Sequence, residues 1–146
     1  MNTLIQKTFL RGYKTGLEAA GCAPSQAIKF PPPYKIGQVL EDGYIYAGFY
    51  QTDKESYHIA LAPKEEPIKM SFEEMEREKV PSKNEWSLIS INKDLFNLKS
   101  DYYWSATEHN NLDAWIFNVQ NGYILYNYKT NTNLVRCVRR FGHSII

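Results

Sequence analysis

Apolar residues fall at every fourth position near the start of the chain, at Ile5, Phe9, Tyr13 and Leu17. That spacing lays one apolar stripe along a helix over residues 3–20, with Gly21 as its stop. Gly12 and Gly16 keep a GxxxG spacing, but so polar a segment points to loose helix packing and not to a membrane dimer. Pro31, Pro32 and Pro33 then forbid helix and stiffen a connector. From residue 35 the pattern becomes that of strands. Residues 36–40 lead into Asp42-Gly43, a dipeptide that favours a hairpin turn, and 44–50 continue with β-branched and aromatic side chains. A polar break at 52–55 precedes a further strand over 57–62.

Two helix starts follow. Ser71 with Glu74 forms a capping box, and Met70 with Met75 sits where a hydrophobic staple belongs. Ser82 and Glu85 repeat the device after Pro81, and Trp86 and Ile89 share one inward face. Beyond Leu98 the pattern returns to strands, over 102–106, 114–119, 123–128 and 134–140. Trp115, Phe117 and Val119 alternate with Ile116 and Asn118, as in a sheet with one drier face. Asn121-Gly122 supplies the positive φ angles of a tight hairpin between two of these strands. The fold class is α+β, with an N-terminal helix, two short central helices and a β-rich, hairpin-containing C-terminal half.

A chain of 146 residues can bury a core without staples. Its net charge of +1 gives no bulk electrostatic pull toward nucleic acid or an acidic membrane. The one compositional departure is an aromatic content of 14%, with 11 Tyr. Cys22 and Cys137 are read as two buried thiols, with a bridge between them left open. No stretch has the pattern of a transmembrane helix or a signal peptide. The expectation is therefore a protein that works in the cytoplasm or leaves the cell by lysis, as part of a particle or by a dedicated route.

Five strings occur in order: KIGQVLEDGYIYAGFY, VPSKNEW, YYWSATE, DAWIFNVQNGY and LVRCVRR. Together, over residues 35–141, they resemble a bacterial and prophage family of small C-type-lectin-like proteins. That family is shared with the C-terminal domain of some collagen-like bacterial adhesins. The resemblance implies a C-type-lectin-like domain over 35–146, preceded by the helix and Pro-rich connector of 1–34. In retroelement-diversified proteins of similar fold, the equivalent C-terminal segment is the variable ligand-binding surface, and Asn codons are favoured targets. This chain departs from the family at Ser105-Ala106-Thr107, where a repeated Ser is commoner. It is also short over 72–80, which puts the middle of the fold in doubt.

The candidate ligand-binding set is His109, Asn110, Asn111, Asp113, Asn118, Gln120, Tyr123, Tyr126, Tyr128, Asn131 and Asn133. Tyr offers large contact area at low rotamer cost, and Asn adds adaptable hydrogen bonds. Tyr is also a good strand former and Asn a turn marker, so a purely structural reading stays open. Trp104 and Trp115 are expected in the framework. Glu108 is expected to pair with Arg136, holding the WSATE turn against the last strand. The acidic run from Glu65 to Glu78 reads as a solvated helix face.

Enzyme chemistry finds no support in these residues. Serine-hydrolase, P-loop and Rossmann motifs are absent. A related fold hosts the formylglycine-generating oxidase, whose reactive cysteines Cys22 and Cys137 do not reproduce. His58, His109 and His143 lack zinc spacing, and Asp113 with Asn110 and Asn111 is a thin calcium set, so no metal or cofactor is expected. The expected function is non-enzymatic recognition by a phage or prophage protein, as a phage-tail or adhesin-type module. Its partner would be a host surface protein or glycan. The alternative is a phage-encoded cytoplasmic protein that binds and inhibits a host defence protein. Self-association into a homo-oligomer is left open.

Overall fold

The computed structural model describes residues 34–145. The helix expected over 3–20, the Pro-rich connector and Cys22 lie outside the described residues. The described residues form a mixed α+β unit of one α-helix and two three-stranded antiparallel sheets. The first sheet has the order β1 (Ile45–Gln51), β2 (Glu55–Leu61), β6 (Val138–Ile145). The second has the order β3 (Tyr102–Glu108), β4 (Asp113–Asn118), β5 (Tyr123–Tyr128). The helix α1 (Lys83–Ser90) connects them in sequence and packs on both.

Within the described residues each expected element is present in some form, with four changes. Residues 36–40 pair only through a Val39–Ile45 bridge beside the Asp42-Gly43 turn. The start signal at Ser71 gives a three-residue 3-10 turn, Phe72–Glu74, instead of an α-helix. Glu74 does return to the Ser71 N–H at 2.8 Å. Phe72 and Met75, three residues apart, are both needed in one core cluster, and a single 3-10 turn delivers them. The Asn121-Gly122 turn is a four-residue loop, closed by the Gly122 N–H on the Asn118 carbonyl at 2.8 Å, with Gly122 at φ +77°. Finally, the strand expected over 134–140 is divided. Asn133 and Leu134 bridge Met70 and Tyr103, and only from Val138 does the chain join the first sheet.

Two cores result. One lies between α1 and both sheets, where Trp86 stacks on Phe117 with ring centroids 4.8 Å apart. The other lies on the opposite face of the second sheet, where Trp104, Ala114 and Ile116 meet Phe72, Met75, Val80 and Val135. Both buried indoles are satisfied: Trp86 Nε1 donates to the Trp104 carbonyl at 3.0 Å, and Trp104 Nε1 to that of Met70 at 2.7 Å. Trp104 is thus fully buried framework.

The elements are tied by a buried carboxylate. Glu85, 1% exposed, accepts from Tyr57 Oη at 2.6 Å, Arg140 Nε and Nη2 at 2.7 Å each, and the Ser82 N–H at 2.8 Å. Arg140 also donates to the carbonyls of Glu78 and Val80. Burial pushes the Glu85 carboxyl up, but the bonds from Arg140 and Tyr57 outweigh it and hold it below its usual range. Its stabilising contribution is therefore complete above about pH 4.5 and is lost as pH falls through the folded-state value. Arg140→Met should cost about 3 kcal/mol or more at pH 7, because it leaves that charge buried without its cation. In the variant burial is opposed only by the Tyr57 hydroxyl and the Ser82 N–H, so the Glu85 carboxyl moves up from its wild-type value. Urea melts should show the gap to wild type narrowing as pH falls from 7 toward the acid limb; a gap that stays constant through that limb would refute the role.

Candidate functional site

Strand alternation sorts the second sheet into two faces. On the α1 side, Tyr103, Phe117 and Ile124 are core, and the row continues through the Trp115–Tyr126 and Asp113–Tyr128 pairs. On the other side lie Trp104, Ile116 and Leu125, with the Asn118–Tyr123 pair at the loop end. Tyr126 and Tyr128 therefore share a face, while Tyr123 sits on the opposite face at the far end. The expected single patch is split.

What the first face assembles is an aromatic stack. His109 lies parallel to Tyr126 at 4.1 Å between centroids and meets Trp115 edge-on at 4.6 Å. Tyr126 meets Trp115 at 5.4 Å and 90°. Lys83 Nζ sits 4.0 Å from the Trp115 ring centroid, a cation–π contact. Trp115 is accordingly half-buried at the surface and is not a core residue, a correction to its expected framework role. It lies in phase with Phe117 but one pair farther along, beyond the reach of Trp86, where Lys83 at the start of α1 covers it. Tyr126, Tyr128 and Leu112 are 52%, 61% and 70% exposed and border the stack, so they carry its free apolar area. Leu112 had no signal in sequence, because a lone Leu in a polar loop reads as unremarkable.

Most of the asparagines are turn builders. Asn110 Oδ1 accepts the N–H groups of Leu112 and Asp113, both at 2.8 Å, and its amide donates to Asp113 Oδ2 at 3.2 Å. Asn118 Oδ1 accepts the Gln120 N–H at 3.0 Å. Asn131 Nδ2 donates to Asn127 Oδ1 at 2.7 Å, which also accepts the Tyr128 N–H. These are side-chain mimics of backbone turns, so the structural reading accounts for these amides. Asn133 is buried at 4% exposure, with its backbone paired to Met70, and cannot contact a ligand there. Asn111 and Gln120 stay exposed.

The expected Glu108–Arg136 pair does not form. Glu108 meets Lys129 at 3.0 Å and Arg77 at 3.6 Å on the surface. Arg136 is fully buried, donating to the carbonyls of Ala62 and Phe96 and facing Glu65 at 3.5 Å. The WSATE strand bulges between Trp104 and Glu108, which carries Glu108 outward, away from the crossing segment that holds Arg136. Arg140 is likewise engaged with Glu85, and Arg139 with Asp42, so these arginines form no shared anion site.

A second aromatic group, not anticipated from sequence, lies on the first sheet. Tyr34, Tyr46, Phe49 and Phe141 surround His58, with centroid distances of 5.0–5.6 Å to it from Phe49, Phe141, Tyr34 and Tyr46. The Tyr46 hydroxyl bonds His58 Nδ1 at 2.8 Å. Its residues come from four separated segments, so no local motif marks it. Among the described residues, no group of three His, Cys, Asp or Glu side chains could hold a metal ion. Cys137 is a free thiol directed at Glu66 at 3.7 Å, and burial pushes its pKa up, the opposite of an activated nucleophile. No helix is long and apolar enough to cross a membrane among the described residues. No protein-family model matches the chain, and no curated protein is significantly similar to it.

Two outcomes check these assignments. Glu108→Gln should leave the melting midpoint nearly unchanged, since its own carboxylate is exposed and so solvated an ion pair contributes little. Arg136→Met should cost about 3 kcal/mol or more in urea melts, because two buried carbonyls lose their donor and Glu65 loses its buried cation. The reverse ranking would restore the Glu108 strut. Burial holds His58 below the usual imidazole range. The unfolded chain then binds the extra proton first, so stability falls as pH drops below about 6.5 toward the folded value. His58→Phe should flatten that part of the stability–pH curve; an unchanged slope would exclude His58 as its source.

Proposed function

We propose that residues 34–145 are a C-type-lectin-like domain of phage or prophage type that binds a protein or glycan without turning it over. The observation that carries this reading is the Trp115–His109–Tyr126 stack, bordered by exposed Leu112 and Tyr128, on strands and turns that are already ordered. Aromatic anchors on a preformed scaffold keep the entropic cost of association low. Exposed Tyr side chains beside a half-buried Trp match the residue types that dominate binding energy at interfaces. The polar residues of the set act chiefly by shaping the loops that present those rings, with Asn111 and Gln120 left to tune contacts at the rim. The five strings that resemble phage and prophage lectin-like proteins support the same reading. They favour a tail or adhesin-type role over inhibition of a host protein.

Immobilised full-length protein should capture a host surface protein or glycan. Tyr126→Ala combined with Tyr128→Ala should weaken that capture at least tenfold while the protein still melts cooperatively, with a midpoint lowered only by the lost ring contacts. Equal capture by the double variant would rule out this face. A partner found only in host cytosol would replace the adhesin reading with the inhibitor one.

A further inference from the structure

The acidic run does not form a helix face. Residues 66–70 instead run beside 133–135, with the Glu66 N–H on the Val135 carbonyl at 2.7 Å and Met70 paired to Asn133. The two 3-10 turns Phe72–Glu74 and Arg77–Lys79 then fold back over that ribbon. Between them lies a cavity of about 260 Å³. Met70 and Met75 line it over the buried Val80 and Val135, and Glu66, Glu74, Glu76 and Lys79 supply its charged groups.

Each carboxylate has one oxygen engaged within the protein. Glu66 accepts the Cys137 S–H, Glu74 the Ser71 N–H, and Glu76 the Lys79 ammonium at 2.8 Å. Three Glu against one Lys leave a formal charge of −2 around an apolar floor. Anions are therefore disfavoured. A metal ion is disfavoured too, because these groups do not converge as a metal-ligating set. The volume falls just short of the roughly 300–1,000 Å³ of pockets that take drug-sized ligands, so the occupant is small. A long aliphatic stem with a cationic end meets both features, the stem on the Met and Val floor and the charge among the carboxylates. A planar guanidinium bridges separate carboxylate oxygens better than a compact ammonium.

We propose that this cavity receives a single arginine side chain from a partner protein. It is separate from the aromatic stack and does not depend on the function proposed for that surface. Lys79, held on Glu76 with its side chain 61% exposed, is the resident cation that the incoming arginine displaces.

The test uses the full chain labelled at the methionine methyl groups and observed by NMR. N-acetyl-arginine-N-methylamide should shift the Met70 and Met75 methyl signals saturably, and the equivalent citrulline compound, neutral and nearly isosteric, should not. Guanidinium ion alone, lacking the stem, should bind more weakly. Glu76→Gln should weaken binding about fivefold, as for loss of one solvated ion pair. Lys79→Gln should tighten it several-fold by removing the competitor, a gain that damaged folding could not produce. Absence of a methyl shift with arginine, equal shifts with citrulline, guanidinium binding as tightly as the blocked residue, or weaker binding by Lys79→Gln would each overturn the proposal.

Discussion

The arrangement of this domain depends on one buried carboxylate. Glu85 closes the N-terminus of α1 by bonding the Ser82 N–H, then receives Tyr57 from β2 and Arg140 from β6. Four donors satisfy both oxygens, which is why a charge can sit at 1% exposure. A carboxylate so placed has no comparably good alternative position, and any slip of α1 or β6 would strand it. Arg136 acts similarly where the chain crosses between sheets, bonding the end of β2 and the turn at Phe96. Apolar packing provides most of the cohesion, but it is tolerant of small shifts. These two ionic knots are not, and they fix the register of the parts they join.

That fixity reaches the aromatic stack through the first turn of α1. Glu85 sets the position of Ser82 and Lys83, and the Lys83 N–H bonds Thr107 Oγ1 of β3 at 3.0 Å. The same residue's ammonium then lies over Trp115. A helix start capped from inside the core thus holds a cation above a surface indole, and the indole supports His109 and Tyr126. Asn110 performs the equivalent task from the other side by closing the turn that carries Leu112 and Asp113. The surface is preformed by its supports, and side chains that look adaptable in composition are mostly committed to shape.

How far the sequence could be read follows from where each signal is local. The Ser82/Glu85 capping box marks α1 to the residue, because cap and helix are neighbours in the chain. The strand over 123–128 is legible because its composition matches its environment along the whole length. The Ser71 start misleads because the chain turns extended at Met75 after a single 3-10 turn, so the cap has no helix behind it. The strand over 134–140 reads as one unit because Leu134, Val135, Cys137 and Val138 flank Arg136 on both sides, yet Arg136 takes partners at residues 62, 65 and 96. Long-range partners of that kind leave no mark in local periodicity. The same limit explains Glu108, whose strand bulges before reaching it, and His58, whose neighbours come from four separate segments.

The turns around the stack also decide how a partner could be held. β5 is the outer strand of its sheet, and an outer strand ordinarily offers its free backbone groups to another chain. Because the Lys129 N–H bonds the Leu112 carbonyl, antiparallel alternation directs the groups of Ile124, Tyr126 and Tyr128 outward. Of these, Tyr128 already donates its N–H to Asn127 Oδ1, and its carbonyl accepts from the Asn131 N–H. Only Ile124 and Tyr126 are left, a ladder of two residues against the five or six of a typical strand. An added strand would gain little there. A partner of the proposed face would thus be gripped by rings and not by backbone, since Asn127 and Asn131 close the edge that would accept any extended chain.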